Sequence, residues 1–499
     1  MKRFFRKALV WAARLLALLV ILLLLFYAEE DWRGARAWAA CQRDLAAKGE
    51  SLDLRQLAPP GKPEDDLSKV PIFAELYQES EESQKTGRYL NKARIHRLRI
   101  DFNWSPSLHS NEPRAGNYLR GRPFNLTDWQ TYYHSISESG LSAQMGTPAQ
   151  DVLLALNQFD PELEEIDAAV SNPNAFWPIN YENPGATSSV GFYKTFSIAE
   201  VLSLRAVAHL ENHETDWAEK DYLFSFRLEK TLTKGGDLVS YCELLAVRNA
   251  ADTILWEGLR RHAWNDTQLR EMESALALTD LLALGADGFR VDRASLLSTM
   301  KFYQPSNVDV VGLLAYNSFY YYLKLEYIPI SRLRPKGWWD EDRATLCVGM
   351  QKHINAINVS EGTLSSDSFP FHDMSDSWGW NRAKTSLWSA IYVPISAFGF
   401  PAGDNIGSTI AKAEIYRRLA RLSCRLEEYR LAHGQYPDQL DALPDLPPHL
   451  NQEVLSEQPF RYQRKGDGYL LYSIGWDQKD NGGVLATDDR QGDWPWPSP

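Results

Sequence analysis

Ala8–Ala28 is an apolar run broken only by Arg14. About 20 apolar residues in a helix cross a bilayer's hydrocarbon core. Lys2, Arg3, Arg6 and Lys7 precede the run, and Glu29, Glu30 and Asp31 follow it. Positive flanks stay inside, so the N-terminus is expected in the cytoplasm and the bulk of the chain outside it. Arg14 can snorkel toward the basic cluster. The run ends Phe26-Tyr27-Ala28-Glu29, which lacks the paired small residues of a cleavage site, so a retained anchor is expected. A prepilin leader needs a glycine before the run and a glutamate early in it, and neither is present. Trp32, Ala35, Trp38, Ala39, Cys41 and Leu45 continue near period 3.6, and Gly49 can close the helix. The anchor is therefore expected to project as a stalk.

Ala58-Pro-Pro-Gly-Lys-Pro then reads as a linker, and 67–123 as mostly irregular with one or two short strands near 93–104. Helix signals become dense from 124. Thr127–Gln130 reads as a capping box, while Thr147-Pro148 and Asp160-Pro161-Glu162 each open a helix. Helices are predicted near 127–138, 148–158, 160–170, 191–211, 215–233, 237–262, 266–284, 289–303, 308–326, 340–357 and 382–398. Gly285-Ala-Asp-Gly288 reads as a helix-ending turn. The short connections imply antiparallel neighbours. No 34-residue helical repeat appears.

Near the end, a helix is predicted from Asp404 to Gly434 with Ile415, Leu419, Leu422, Leu426 and Tyr429 on one stripe. Arg417, Arg418, Arg421, Arg425 and Arg430 lie on its other faces. Phe460–Arg464 and Tyr469–Ile474 read as strands around a turn at Lys465-Gly-Asp-Gly468, before an acidic, Trp-rich tail. Glu427-Glu-Tyr-Arg-Leu-Ala-His-Gly-Gln-Tyr-Pro-Asp-Gln-Leu and Gly468-Tyr-Leu-Leu-Tyr-Ser-Ile-Gly-Trp-Asp resemble the soluble part of type II secretion major pseudopilins. The resemblance spans roughly 404–484 and implies a helix, a small antiparallel sheet and an acidic calcium-binding loop. In that family the helix continues directly from the membrane segment; here most of the chain lies between them. The whole chain also resembles membrane-anchored bacterial proteins with an α-helical middle and this ending.

The expected fold class is mainly α: an N-terminal transmembrane helix, an irregular antiparallel α-helical array and a small C-terminal α+β module. The expected domains are 1–49 (cytoplasmic tail, anchor and stalk), 50–123 (linker and irregular region), 124–400 (helical array) and 401–499 (pseudopilin-like module with acidic tail). The net charge of −12 over 499 residues argues against nucleic acid as a partner. Cys41, Cys242, Cys347 and Cys424 lack metal-ligand spacing, and no essential bridge is expected. Seventeen Trp suit an aromatic core or sugar-stacking platforms.

Asp477, Asp480, Asn481, Asp488 and Asp489 form the best ligand cluster, with Gly482-Gly483 letting the loop fold back. Calcium is the cation that the pseudopilin resemblance implies there. His209-Leu-Glu-Asn-His213 lacks the glutamate position of a zinc protease helix. The polar, aromatic loop Val359–Trp380 holds His372, Asp373 and Asp376. No catalytic residue and no organic cofactor is assigned. The expected function is a non-catalytic binding or assembly protein of the bacterial inner membrane. Its partners would be the bilayer, through residues 8–28, and an envelope protein or glycan. The alternative is a cell-envelope hydrolase or glycan-binding enzyme using the 360–380 loop.

Overall fold

The computed structural model describes residues 2–86, 92–98, 113–136, 139–141, 145–179, 181, 189–302, 335–369, 403–485 and 491–497. The helices expected near 308–326 and 382–398 lie outside them. The protein is mainly helical, with small antiparallel sheets. In chain order the principal helices are α1 (Lys2–Ala47), α2 (Pro71–Thr86), α3 (Leu126–Ser135), α4 (Pro148–Asn157), α5 (Asp160–Val170) and α6 (Ser189–Glu211). They continue with α7 (Thr215–Thr231), α8 (Leu238–Leu259), α9 (Asp266–Ala277), α10 (Leu281–Phe302), α11 (Lys336–Asn355) and α12 (Gly403–His433). The strands are β1 (Ile357–Asn358), β2 (Thr363–Leu364), β3 (Arg461–Lys465), β4 (Gly468–Ser473) and β5 (Trp494–Trp496). The chain divides into two compact units. One comprises the described parts of Met1–Asp53, Arg293–Ile354 and Phe369–Asn405; the other comprises those of Leu54–Asp292, Asn355–Ser368 and Ile406–Pro499.

In the first unit, α1 is one unbroken helix of 46 residues, about 69 Å long at ~1.5 Å per residue. It is long and apolar enough to cross a membrane, and its most apolar window is unburied. Gly49 closes it in the left-handed region, and Glu50 N donates back to Leu45 O at 3.0 Å. Beyond the apolar run, α1 lies parallel to α11. Trp338 Nε1 donates to Glu30 Oε2 at 2.7 Å, Arg33 Nε to Glu341 Oε1 at 2.7 Å, and Gly337 N to Asp31 Oδ1 at 2.7 Å. Asp31 thus serves one of the orphan amides at the start of α11.

The backbones meet at two glycines. A Cβ on Gly34 would stand 2.0 Å from Gly337 O, and one on Gly337 would stand 1.9 Å from Glu30 O. Cys41 and Leu45 continue the buried face and pack with Leu297, Met300, Leu346, Cys347 and Met350. The face therefore runs Glu30, Gly34, Cys41, Leu45. Trp32, expected on it, is exposed and stacks under Arg36 instead. Arg293 is fully buried and held by Gln351 Oε1 at 2.5 Å and Glu50 Oε2 at 2.7 Å.

In the second unit, α6, α7 and α8 pack against one another, and α8 is buried over most of its length, with every residue from Ala250 to Leu259 buried and Val239, Cys242 and Asn249 exposed before that. The segment expected to be irregular contains α2. Pro71 occupies its first position, with Ile72, Phe73 and Leu76 buried. The strand expected from 93 is a 3-10 turn over Arg94–Leu98 as far as it is described. Carboxylates of α2 cause this: Glu75 accepts from Arg94 N and Nε, and Glu79 accepts from Lys92 N and faces His96. Asn125, not Thr127, caps α3 through the amides of Thr127 and Asp128. The break between α9 and α10 falls at 278–280, where Asp280 Oδ1 accepts from Ala283 N at 2.9 Å. Gly285 and Gly288, expected to end a helix, lie inside α10, where Ile410 and Leu238 pack against them.

In α12, Ile415, Leu419, Leu422 and Leu426 are buried as expected, and so are Ile410, Tyr416, Ala420 and Cys424 from its other sides. Strands β3 and β4 pair with Lys465 opposite Gly468, and Gly466 takes the positive φ that a two-residue turn requires. The tail becomes a third strand, β5, beside β4. Trp494 and Trp496 turn inward by the period-two rule and are almost fully buried.

The glycine contact generates a stability prediction. Gly337→Ala should cost roughly 3 kcal/mol in the first unit, because neither facing carbonyl can yield without moving a helix. Limited proteolysis between 336 and 354 should accelerate in the variant; an unchanged cleavage rate would contradict the close crossing.

Candidate functional site

The acidic loop follows β4. Asp480 accepts from Gly482 N (2.9 Å), the Tyr472 hydroxyl (2.9 Å) and Arg461 Nε (3.1 Å). These partners hold its carboxyl below the usual range, the Gly482 amide foremost. Asp477 accepts from Lys479 N at 3.2 Å, and Asn481 Nδ2 donates to Lys479 O. The residue that closes the loop is Asp493, just before β5. It is fully buried and accepts from Asn481 N at 3.0 Å and Gly483 N at 2.6 Å. Burial raises its carboxyl despite those bonds.

Three of the five expected ligands, Asp477, Asp480 and Asn481, thus bond to the loop itself, to Tyr472 and Arg461 of the sheet, or to Asp493. Asp488 and Asp489 lie outside the described residues. Among the described residues no group of three or more His, Cys, Asp or Glu is arranged to hold a metal ion. Asp493 was not singled out in the sequence. Its signal is its place one residue before a Trp-Pro-Trp strand, where a buried carboxyl needs amide donors.

The other two expected places fare differently. His372, Asp373 and Asp376 lie outside the described residues. The described start of that loop is the β1–β2 hairpin, whose Gly362 O accepts from the buried Arg418 Nη2 at 2.6 Å. His209 Nδ1 meets Glu214 Oε2 at 2.7 Å and its ring stacks on Trp217. His213 lies past the end of α6 in the left-handed region, so the two imidazoles no longer share a helical face.

A buried polar network in the second unit was not foreseen. Arg248 of α8 donates twice to Glu229 of α7, both at 2.5 Å, and Thr279 Oγ1 joins Glu229 at 2.8 Å. One turn on, Asp252 Oδ2 accepts from the Tyr118 hydroxyl at 3.4 Å. Tyr118 in turn packs against Tyr416 and Trp496. Arg248 Nη1, Asp252 Oδ1 and the Tyr222 hydroxyl are buried with no hydrogen-bond partner among the described residues. Burial pushes the Asp252 carboxyl up to about 7, against the pull of Arg248. The sequence signal was a charged i, i+4 pair, Arg248 and Asp252, set among the apolar residues of a long helix.

Three further carboxyls are raised chiefly by burial. Glu453, bonded to Ser473 Oγ and Ile474 N, reaches about 7, Asp292 about 8 and Glu243 about 9. Each of these four binds protons more tightly folded than unfolded. Their stabilisation is full below the usual carboxylate range and is lost as pH rises toward about 7 to 9. Glu414 behaves oppositely: burial raises it, but Arg417 and Arg418 outweigh burial and hold it low. Its contribution is lost as pH falls through its depressed value. The melting temperature should therefore peak at about pH 5 and decline toward pH 8. A thermal scan across that range checks this, and a curve still rising at pH 8 would contradict it.

Compared with protein-family models, with curated proteins and with solved structures, the chain matches none.

Proposed function

We propose that this chain is a single-pass protein of a bacterial inner membrane, with its N-terminus cytoplasmic and its bulk extracytoplasmic. In this reading it serves as a binding or assembly component of the cell envelope without catalytic turnover. One observation carries the reading: the continuation of the apolar helix is joined to a folded unit, its Glu30, Asp31, Arg33 and Gly34 meeting Trp338, Glu341 and Gly337 of α11. A flexible tether would only confine a domain to a membrane. A stalk bonded along its length sets its unit's height and orientation, as a component that presents a surface to a partner requires. The order helix, hairpin and third strand in 403–497 supports the pseudopilin likeness of that segment.

In-cell crosslinking of the tagged full-length protein tests the proposal. Reproducible capture of envelope assembly components is the expected result. Capture of glycan-processing enzymes alone, with glycan cleavage by the purified protein, would overturn it and favour a hydrolase. Calcium at the acidic loop belongs to the same reading and would engage Asp477, Asp480, Asn481, Asp488 and Asp489. It predicts a higher melting temperature in calcium than in chelator; equal values would remove it.

A further inference from the structure

Two of the four cysteines share one place in the fold. Cys41 is on the stalk part of α1 and Cys347 is on α11, and both belong to the buried cluster of the first unit. The parallel pairing of the helices brings them together. Gly34 meets Gly337, Arg343 lies over Trp38, and Cys41 Sγ reaches Ala344 O at 3.9 Å, one turn before Cys347. The two thiols therefore face each other within that one buried cluster, and each is felt electrostatically by the other. Cys424 is buried in the second unit and Cys242 is exposed there, so neither shares this cluster.

We propose that Cys41 and Cys347 form an intramolecular disulfide that locks the stalk to α11. Its closure in the cell rests on the extracytoplasmic reading given above, because disulfides persist in oxidising compartments. The oxidant is a small-molecule or protein disulfide. The Cys41 thiolate attacks one of its sulfurs, forming a mixed disulfide and releasing one thiolate. Cys347, after giving up its proton to that thiolate, attacks the Cys41 sulfur and releases the second. The oxidant gains two electrons and two protons and leaves as two thiols; the protein's two thiols become one S–S bond.

The environment supports this order. The neighbouring Cys347 thiol holds the Cys41 thiol low against burial, with Arg293 assisting, while Cys41 and burial push Cys347 up. Cys41 also keeps a small exposed edge, whereas Cys347 is fully buried. The attacking thiol is thus the one that ionises more readily and can be reached.

The test uses purified, reduced full-length protein in detergent, exposed to oxidised glutathione and then denatured and alkylated. Two of the four thiols should resist alkylation until reductant is added. A peptide joining 41 to 347 should appear by mass spectrometry, and the chain should run faster without reductant because the bond closes a loop of some 300 residues. C41S and C347S should each abolish both signals, and C242S should leave them intact. Four alkylated thiols, or a bond using Cys242 or Cys424, would overturn the pairing. Acid-quenched cells carry a separate readout. The closed bond there supports the proposal in full. Free thiols in cells, with closure in the purified protein, uphold the pairing and overturn the assigned compartment.

Discussion

Two helix backbones can touch only where neither carries a side chain, and α1 and α11 touch at Gly34 and Gly337. That contact sets the register for the rest of the first unit. With those glycines opposed, Glu30 reaches the Trp338 indole, Asp31 reaches the first turn of α11, Arg33 finds Glu341 and Cys41 lies beside Cys347. A shift of one turn would separate every pair at once. The Arg33–Glu341 pair is exposed and individually modest, whereas the Trp338–Glu30 bond is buried, and below both lies the apolar cluster of Leu45, Leu297 and Leu346. The glycines determine which cluster forms.

The second unit meets a different constraint. Helix α8 buries most of its residues, Glu243, Arg248, Asp252 and Glu257 among them, so each of these charges must bring its partner along. Arg248 does so with Glu229, and Arg418 on α12 does so with Glu414 and two backbone carbonyls. Asp252 and Glu453 meet the same problem with carboxyls that burial raises to about 7, so they hold their protons well above the ordinary carboxylate range. Such groups are tolerated in a fold whose pieces are all in place, and they penalise any arrangement that leaves one unpaired.

Local signals in the sequence located the elements far better than they located the contacts. The apolar anchor, the Gly49 stop, Thr147-Pro148, the Leu stripe of α12 and the Lys465–Gly468 turn all act within a few residues, and each was readable. Helix α2 was missed because its face is short and begins at a proline inside other turn-forming residues. The glycines of α10 were misread because a glycine that permits a turn and a glycine that admits Ile410 look alike in one dimension. The stalk's buried face was misassigned to Trp32 because its true members include Glu30 and Gly34, which no hydrophobic period counts. Asp493 and the Arg248 network depend on partners far along the chain.

The seam also has a timetable. Asp31 and its partner amide on Gly337 are 306 residues apart in the chain. At ~5–20 residues per second, synthesis takes about 15 to 60 s to deliver α11 after the stalk has emerged. For that interval the apolar helix is complete while Glu30, Gly34, Cys41 and Leu45 lack the helix that buries them. The nascent protein therefore passes through a stage in which its long apolar helix is complete but the helix that will cover the lower part of it has not been made.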